Sequence, residues 1–310
     1  MQSASDNANN PANNLKVGQL QRFASYASLG VAMTLVLAKI WAWQQTGSVS
    51  ILSSLVDSVL DVLASGITVV AIYFSLRPAD SEHRFGHGKS EGLAALLQSI
   101  IVTASAIYVF KEAIERVIVP QPVSNPASGI AIMALSITLT IGLVLFQGYV
   151  VRKTNSMAIA ADSLHYRADL LVNVSVAFAV MTAGWNDWPL VDALVGVAVA
   201  AYIIKSALEI ATSSLDVLLD RELPEDEREK IYAIASAHPE VLGFHDLRTR
   251  SGGSMYFIQF HLELDPQTSL VKAHRIMDRV EDDIREAYPQ CEIIVHADPF
   301  GFDEMRDEFD

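Results

Sequence analysis

Two stretches decide the reading of this chain: Ser54-Leu55-Val56-Asp57-Ser58-Val59-Leu60-Asp61 and Ala161-Asp162-Ser163-Leu164-His165-Tyr166-Arg167-Ala168-Asp169. Each lies inside an apolar run long enough to cross a bilayer, about 20 residues. Asp57 and Asp61 are four apart, as are His165 and Asp169, so each pair projects from one helix face. At 1.5 Å per residue, Asp57 and Asp61 lie about 10 and 16 Å deep, and His165 about 16 Å deep. An ionised group at that depth costs at least about 2.5–3.5 kcal/mol on the insertion scale, so it normally faces a polar interior with partners. If the two helices face each other, three carboxylates and one imidazole converge. That N/O set is natural for Zn²⁺ and tolerable for Fe²⁺, Cd²⁺ or Mn²⁺. A single such Asp would also suit an interhelical hydrogen bond; two pairs at matched depth argue for ligands. Arg167, two residues from His165, points away, and Asp162, three before it, reads as a supporting group.

Working outward, six apolar stretches cover residues 22–44, 50–76, 92–118, 127–151, 155–184 and 188–210. Turn signals separate them: Gln44 to Gly47, the charged run Arg77 to Glu91, Pro120 through Pro126, Arg152 to Asn155, and Gly184 to Pro189. Arg77, Arg84 and Lys89 follow the second span, Arg152 and Lys153 the fourth, and Lys16 and Arg22 precede the first. The loops after spans 1, 3 and 5 carry no Lys or Arg. This alternation predicts that both termini are cytoplasmic, with Trp185 and Trp188 at the outer interface.

The 310 residues have a mean hydropathy of +0.29 and are 51% hydrophobic, which a soluble domain of this length rarely combines. Charge divides sharply. Residues 1–210 hold 13 acids and 12 bases, whereas 211–310 hold 23 acids and 10 bases. So acidic a final third argues against nucleic acid, whose phosphates call for Lys and Arg. The single cysteine, Cys291, allows no intramolecular disulfide and no thiolate cluster, and reads as a small strand residue. The expected division is a disordered leader 1–20, a transmembrane domain 21–210, a cytoplasmic domain 211–302 and an acidic tail 303–310.

After the second span, Asp80, His83 and His87 have metal-ligand character within a glycine-containing loop expected to be flexible. The last domain reads as helix 224–238, strand 243–250, strand 254–264, helix 269–287 and strand 291–297, an α-β-β-α-β order that suggests helices on one face of a sheet. His245, His261, His274, His296 and Asp298 are its metal candidates. They come from different elements, so spacing alone proves nothing, and any one could be an ordinary core or surface histidine. His238, before Pro239, reads as a surface residue.

Together the quoted segments, the six spans and the acidic domain resemble the cation diffusion facilitator family, most closely its bacterial zinc and ferrous-iron efflux branch. The resemblance implies a transport site at Asp57, Asp61, His165 and Asp169, and a loop site at Asp80, His83 and His87. It also implies a metallochaperone-like domain that dimerises, with a binuclear site from His245, His261, His274, His296 and Asp298, in which His261 bridges. Lys89 and Asp220 would form a charge interlock holding the homodimer at the membrane surface. The animal zinc carriers have His at the first transport position, where this chain has Asp57.

The expected activity is proton-coupled export of a divalent metal from cytoplasm to periplasm by alternating access, in a bacterial inner membrane. A membrane metalloenzyme would need an acid/base motif such as His-Glu-x-x-His, which the sequence lacks. A metal-sensing membrane protein without flux is the other rival. A channel fits less well, because four strong ligands would trap the ion.

Overall fold

The structure, a computed structural model, describes residues 11–47, 49–118, 130–182, 189–253 and 255–302. The leader's first ten residues, the prolines from Pro120 to Pro126, Trp185, Trp188 and the acidic tail lie outside the described residues. The chain divides into two compact units.

One unit, residues 17–78 and 89–215, is the helical bundle. Its helices are α1 (Pro11–Thr46), α2 (Val49–Ser75), α3 (Lys89–Ile118), α4 (Ile130–Thr154), α5 (Met157–Thr182) and α6 (Pro189–Leu218). Among the described residues, α1, α2, α3, α4 and α6 each contain a stretch long and apolar enough to cross a membrane. In α5, Asp162, Arg167 and Asp169 dilute that character, and the helix packs on α3, α4 and α2 instead. Two boundaries differ most from the sequence reading. α1 starts at Pro11, inside the expected leader, where proline's fixed φ suits a first turn. α6 runs to Leu218 rather than 210, and within the added turns Thr212, Ser213 and Ser214 turn their hydroxyls onto helix carbonyls four residues back.

The bundle inverts a soluble protein. Large apolar side chains such as Phe23 and Leu145 face outward, 68% and 69% exposed. Small and polar residues fill the interior: Ser28, Ser65, Thr68, Gln98, Gln147 and Asp162. Ser65 bonds both Ser28 (2.7 Å) and the Tyr166 hydroxyl (2.8 Å), joining α1, α2 and α5. The α4–α5 turn is two residues. Asn155 takes φ 51, which Asn tolerates, and Ser156 caps α5 by accepting from the Ile159 N–H at 3.4 Å.

The other unit holds residues 1–16, 79–88 and 216–310. Here α7 (Glu225–Ser236), β1 (Gly243–Ser251), β2 (Tyr256–Leu264), α8 (Leu270–Ala287) and β3 (Cys291–Pro299) give the expected α-β-β-α-β order. The sheet order is β1-β2-β3, with β1 antiparallel and β3 parallel to β2, so α8 is the crossover that a parallel pair requires. Glu225, Asp226 and Glu227 place negative charge at the start of α7, where the helix dipole favours it. α8 buries Ala273, Ile276, Val280 and Ile284, one helical stripe. That stripe packs with Ile231 and Ala235 of α7 on Ile258, Phe260 and Leu262 of β2. Strand alternation sends Gln259, His261 and Glu263 to the opposite face.

Candidate metal centres

In the bundle, α2 packs against α5 and brings Asp61, His165 and Asp169 together, their ligand atoms within 4.8 Å of one another. His165 Nε2 lies 3.0 Å from Asp61 Oδ1 and 3.6 Å from Asp169 Oδ2. One ring nitrogen thus faces both carboxylates, the arrangement a shared cation would replace. Asp57 is the fourth expected member and lies outside this group, exposed. It sits one turn earlier on the same face, about 6 Å along the axis. Asp162 is fully buried. Gln98 Nε2 donates to its Oδ1 at 3.3 Å and Gln147 Nε2 to its Oδ2 at 2.6 Å, so α5 is tied to α3 and α4. Arg167 is exposed, as expected from its two-residue offset.

Three polar groups of the bundle escaped the sequence reading. Glu91 is buried and accepts from Gln21 (3.4 Å), Ser75 (3.2 Å) and Ser156, linking α1, α2, α3 and the start of α5. The Gln98 and Gln147 amides are the second group. The third is Lys39, which crosses from α1 to α2, where its Nζ donates to the Ser54 carbonyl (3.0 Å) and the Ser58 hydroxyl (2.6 Å). The available signal was a lysine inside an apolar run at the end whose loop has no basic residue.

In the second unit, Asp80 bridges two histidines: Oδ1 is 3.3 Å from His83 Nδ1 and Oδ2 is 3.5 Å from His87 Nε2. The backbone N–H groups of His83 (2.7 Å) and Glu82 (3.0 Å) also donate to Asp80. The His83 N–H above all holds its carboxyl below the usual range, so it is ionised and ready to ligate. The loop's glycines were expected to loosen it, and Gly88 does the reverse. A Cβ there would lie 2.0 Å from the Gly252 carbonyl oxygen, so glycine permits a close backbone approach. Beside it Arg250 lies between two rings, 4.6 Å from Phe85 and 4.5 Å from Phe257. The loop is docked.

The sheet register supplies the other centre. His245, His261 and His296 occupy one rung across β1, β2 and β3. Ring centroids are 5.1 Å apart for the first pair and 4.7 Å for the second. Buried Asp298 reaches all three: 2.7 Å to His261 Nδ1, 3.4 Å to His245 Nε2 and 3.1 Å to His296 Nε2. The donors form two overlapping groups, His261-His296-Asp298 and His245-Asp246-His261, with His261 common to both. This suits two metals sharing one imidazole. Asp246 was not foreseen. A bulge between His245 and Arg248, with φ 51 at Asp246, re-aims its carboxylate.

His274 is the expected member that this chain does not bring in. It lies exposed on α8, 3.7 Å from Asp278. His238 pairs with Asp283 at 2.9 Å, and Cys291 opens β3. Lys89 begins α3, while Asp220 follows α6 with φ 57 and accepts from Arg250 at 3.2 Å.

The chain matches the family models for the cation efflux transmembrane domain over residues 25–219 and the cation efflux protein cytoplasmic domain over 223–300. It is 44% identical over 286 residues to the cation-efflux pump FieF of Salmonella choleraesuis (strain SC-B67), covering 92% of this chain and 95% of that one. Identity to the cation-efflux pump FieF of Salmonella arizonae is 43% over the same length and shares of each chain. Among solved structures, the metal-bound C-terminal domain of the CzcD transporter from Thermotoga maritima is 26% identical, with a TM-score of 0.25, covering 26% of this chain and all of that one.

Proposed function

We infer function from one premise: the chain belongs to the cation efflux family, and is therefore a multi-pass membrane protein that moves divalent metal rather than an enzyme. We propose that the cluster of Asp61, His165 and Asp169, completed by Asp57, is the transport site. The observation that carries this is His165 Nε2 facing the Asp61 and Asp169 carboxylates at 3.0 and 3.6 Å within a bundle that is apolar on the outside. Zn²⁺ is the cargo the donor set suits best, with Fe²⁺, Cd²⁺ and Mn²⁺ as competitors.

Coupling to protons follows from the donors. Imidazole and carboxylates bind metal only when deprotonated, so metal and protons compete for the same atoms. Cytoplasmic metal loads the site when it opens inward, and periplasmic protons displace it when the site opens outward. An inward proton gains about 2.3 kcal/mol per 100 mV, offset by the outward movement of metal charge. The alternating basic loops support a cytoplasmic location for both termini, in a bacterial inner membrane.

The Asp80-His83-His87 loop and the histidine rung of the sheet fit bound metal by donor type and distance. We assign them regulatory and structural roles in a homodimer, with Lys89 and Asp220 as its interlock. Metal held there shifts the conformational population without being carried.

The test is flux from full-length protein in proteoliposomes, with a dye for internal pH and a panel of divalent ions. Zn²⁺-dependent proton movement that vanishes in Asp61→Ala is the expected result. Saturable Zn²⁺ binding with no flux would instead identify a sensor, and flux with no proton movement would remove the antiport.

A further inference from the structure

We propose that Lys39 is the built-in counter-cation of the transport site, a residue that sets how tightly the site holds its metal and how readily it lets go. The inference rests on the reading of Asp57, Asp61, His165 and Asp169 as that site.

A lysine near the end of a transmembrane helix ordinarily extends its stem toward the interface and keeps its ammonium in water. Lys39 does not. It is 8% exposed, and its Nζ is pinned to the Ser54 carbonyl at 3.0 Å and the Ser58 hydroxyl at 2.6 Å, with Ser58 itself fully buried. Ser54, Ser58 and Asp61 recur at spacings of four and three, so they share one stripe of α2. α1 therefore delivers a fixed positive charge onto the stripe that carries Asp61. The carboxylates whose charges act on the ammonium are Asp61, Asp57 and Asp169, three of the four proposed ligands. The fourth, His165, faces two of them, Asp61 and Asp169, from α5.

The charge balance gives this placement its meaning. Three ionised carboxylates and a neutral imidazole leave one negative charge uncompensated when a dication binds. The Lys39 ammonium cancels it, so the loaded site is formally neutral inside a medium that penalises net charge. The same ammonium repels the incoming dication, and so holds affinity below what the carboxylates alone would give. For an exporter that must release its cargo, this is a gain. The two α2 oxygens keep the ammonium beside the carboxylates without letting it take a metal's place between them. A compact ammonium with three donors suits such a post.

Two substitutions then move affinity in opposite directions, which a merely structural lysine would not do. Full-length wild type, Lys39→Met, Lys39→Arg, Ser58→Ala and Asp61→Ala are compared for Zn²⁺ flux from proteoliposomes at fixed internal and external pH, with KM and kcat read separately. Lys39→Met lowers KM on the order of tenfold, the size expected of one unit charge near a dication in a partly screened interior. Its kcat falls as release slows. Lys39→Arg keeps the charge and holds KM near wild type, whatever it does to the amount of folded protein. Ser58→Ala frees the ammonium to reach Asp57 and Asp61 and raises KM several-fold. An unchanged KM in Lys39→Met overturns the inference, even if kcat drops. Should Lys39→Met yield no folded protein, an unchanged KM in Ser58→Ala overturns it. If Asp61→Ala transports like wild type, the assignment of the transport site fails instead.

Discussion

Asp162 and Asp61 are both intramembrane aspartates on facing helices, yet their surroundings assign them opposite work. Asp162 is fully buried and takes one amide from Gln98 and one from Gln147. Asp61 meets a titratable ring across the α2–α5 interface. Replacing Asp162 by Ala strands the buried Gln147 amide donor, at a cost of about 1–3 kcal/mol, whereas Gln98 keeps the Ala64 carbonyl and the Thr68 hydroxyl. Thermal unfolding of the purified protein should record that loss, with flux falling only as far as folded protein does. Asp61→Ala should abolish flux without a comparable drop in melting temperature. The reverse pattern would exchange the two roles. Of these residues, the proposed ligands Asp61, His165 and Asp169 could be picked out in the sequence because i,i+4 spacing survives any packing of the helices. Lys39, Glu91, Gln98 and Gln147 were not legible, because each is defined by what another helix presents to it. A lone lysine in an apolar run is indistinguishable, in sequence, from one that reaches for the interface.

The histidine rung of the sheet shows what an element can do that its residues cannot. His245, His261 and His296 are far apart in sequence and become neighbours only through strand pairing, and alternation within one strand does not name its partner. Strand identity was legible from alternation, and the helices from their apolar stripes. The partnering of β1 with β2 through a bulge was not, so Asp246 was missed and His274 was grouped with residues it does not meet in this chain. Two predictions belong here. Gly88→Ala would set a Cβ 2.0 Å from the Gly252 carbonyl, displacing the docked loop and weakening Zn²⁺ binding at Asp80, His83 and His87 although no ligand changes. Isothermal titration of the full chain would register the loss of one binding class, and an intact class would mean the loop needs no such approach. The second concerns pH. Glu240 is held low by Lys272 and then Arg279, and Glu227 by Lys230 and then Tyr288. Folded values below the unfolded carboxylate value of about 4.3 mean that their stabilisation is complete above that value and lost as pH falls through the folded ones. Both are surface pairs, so each contribution is small. Metal-free protein should therefore keep its β2 amide protection from pH 7.5 to 5.5. Zn²⁺-dependent protection should weaken on acidification, because imidazoles must lose protons to bind. Hydrogen exchange of the full chain with and without Zn²⁺ separates the two. A loss of protection in the metal-free protein would mean that a group other than these carboxylates governs the unit.

At the scale of the molecule, the charge asymmetry read from the sequence, nearly neutral to residue 210 and strongly acidic after it, follows the division into two units, for which we propose different relations to metal. The bundle brings together two carboxylates and one imidazole, which we propose exchange a cargo ion for protons. The sheet brings together three imidazoles on one rung backed by a buried aspartate, which we propose hold metal that is not carried. Hydropathy and loop charge made the first unit legible as a membrane bundle. They do not speak to the proposed division of labour, because His and Asp occur as candidate ligands in both units. The division has a direct consequence. His261→Ala removes the ligand common to both donor groups of the sheet, so metal there should weaken by more than one class at once. If that metal only biases conformation, flux should persist at a reduced rate, since a population shift slows a cycle in proportion to the competent fraction without removing the transport site. Asp61→Ala leaves the sheet's metal intact and should stop flux altogether. Measuring bound Zn²⁺ and flux on the same preparations decides it. Loss of all flux in His261→Ala, with normal folding and undiminished binding in the bundle, would place the sheet's metal on the transport path itself.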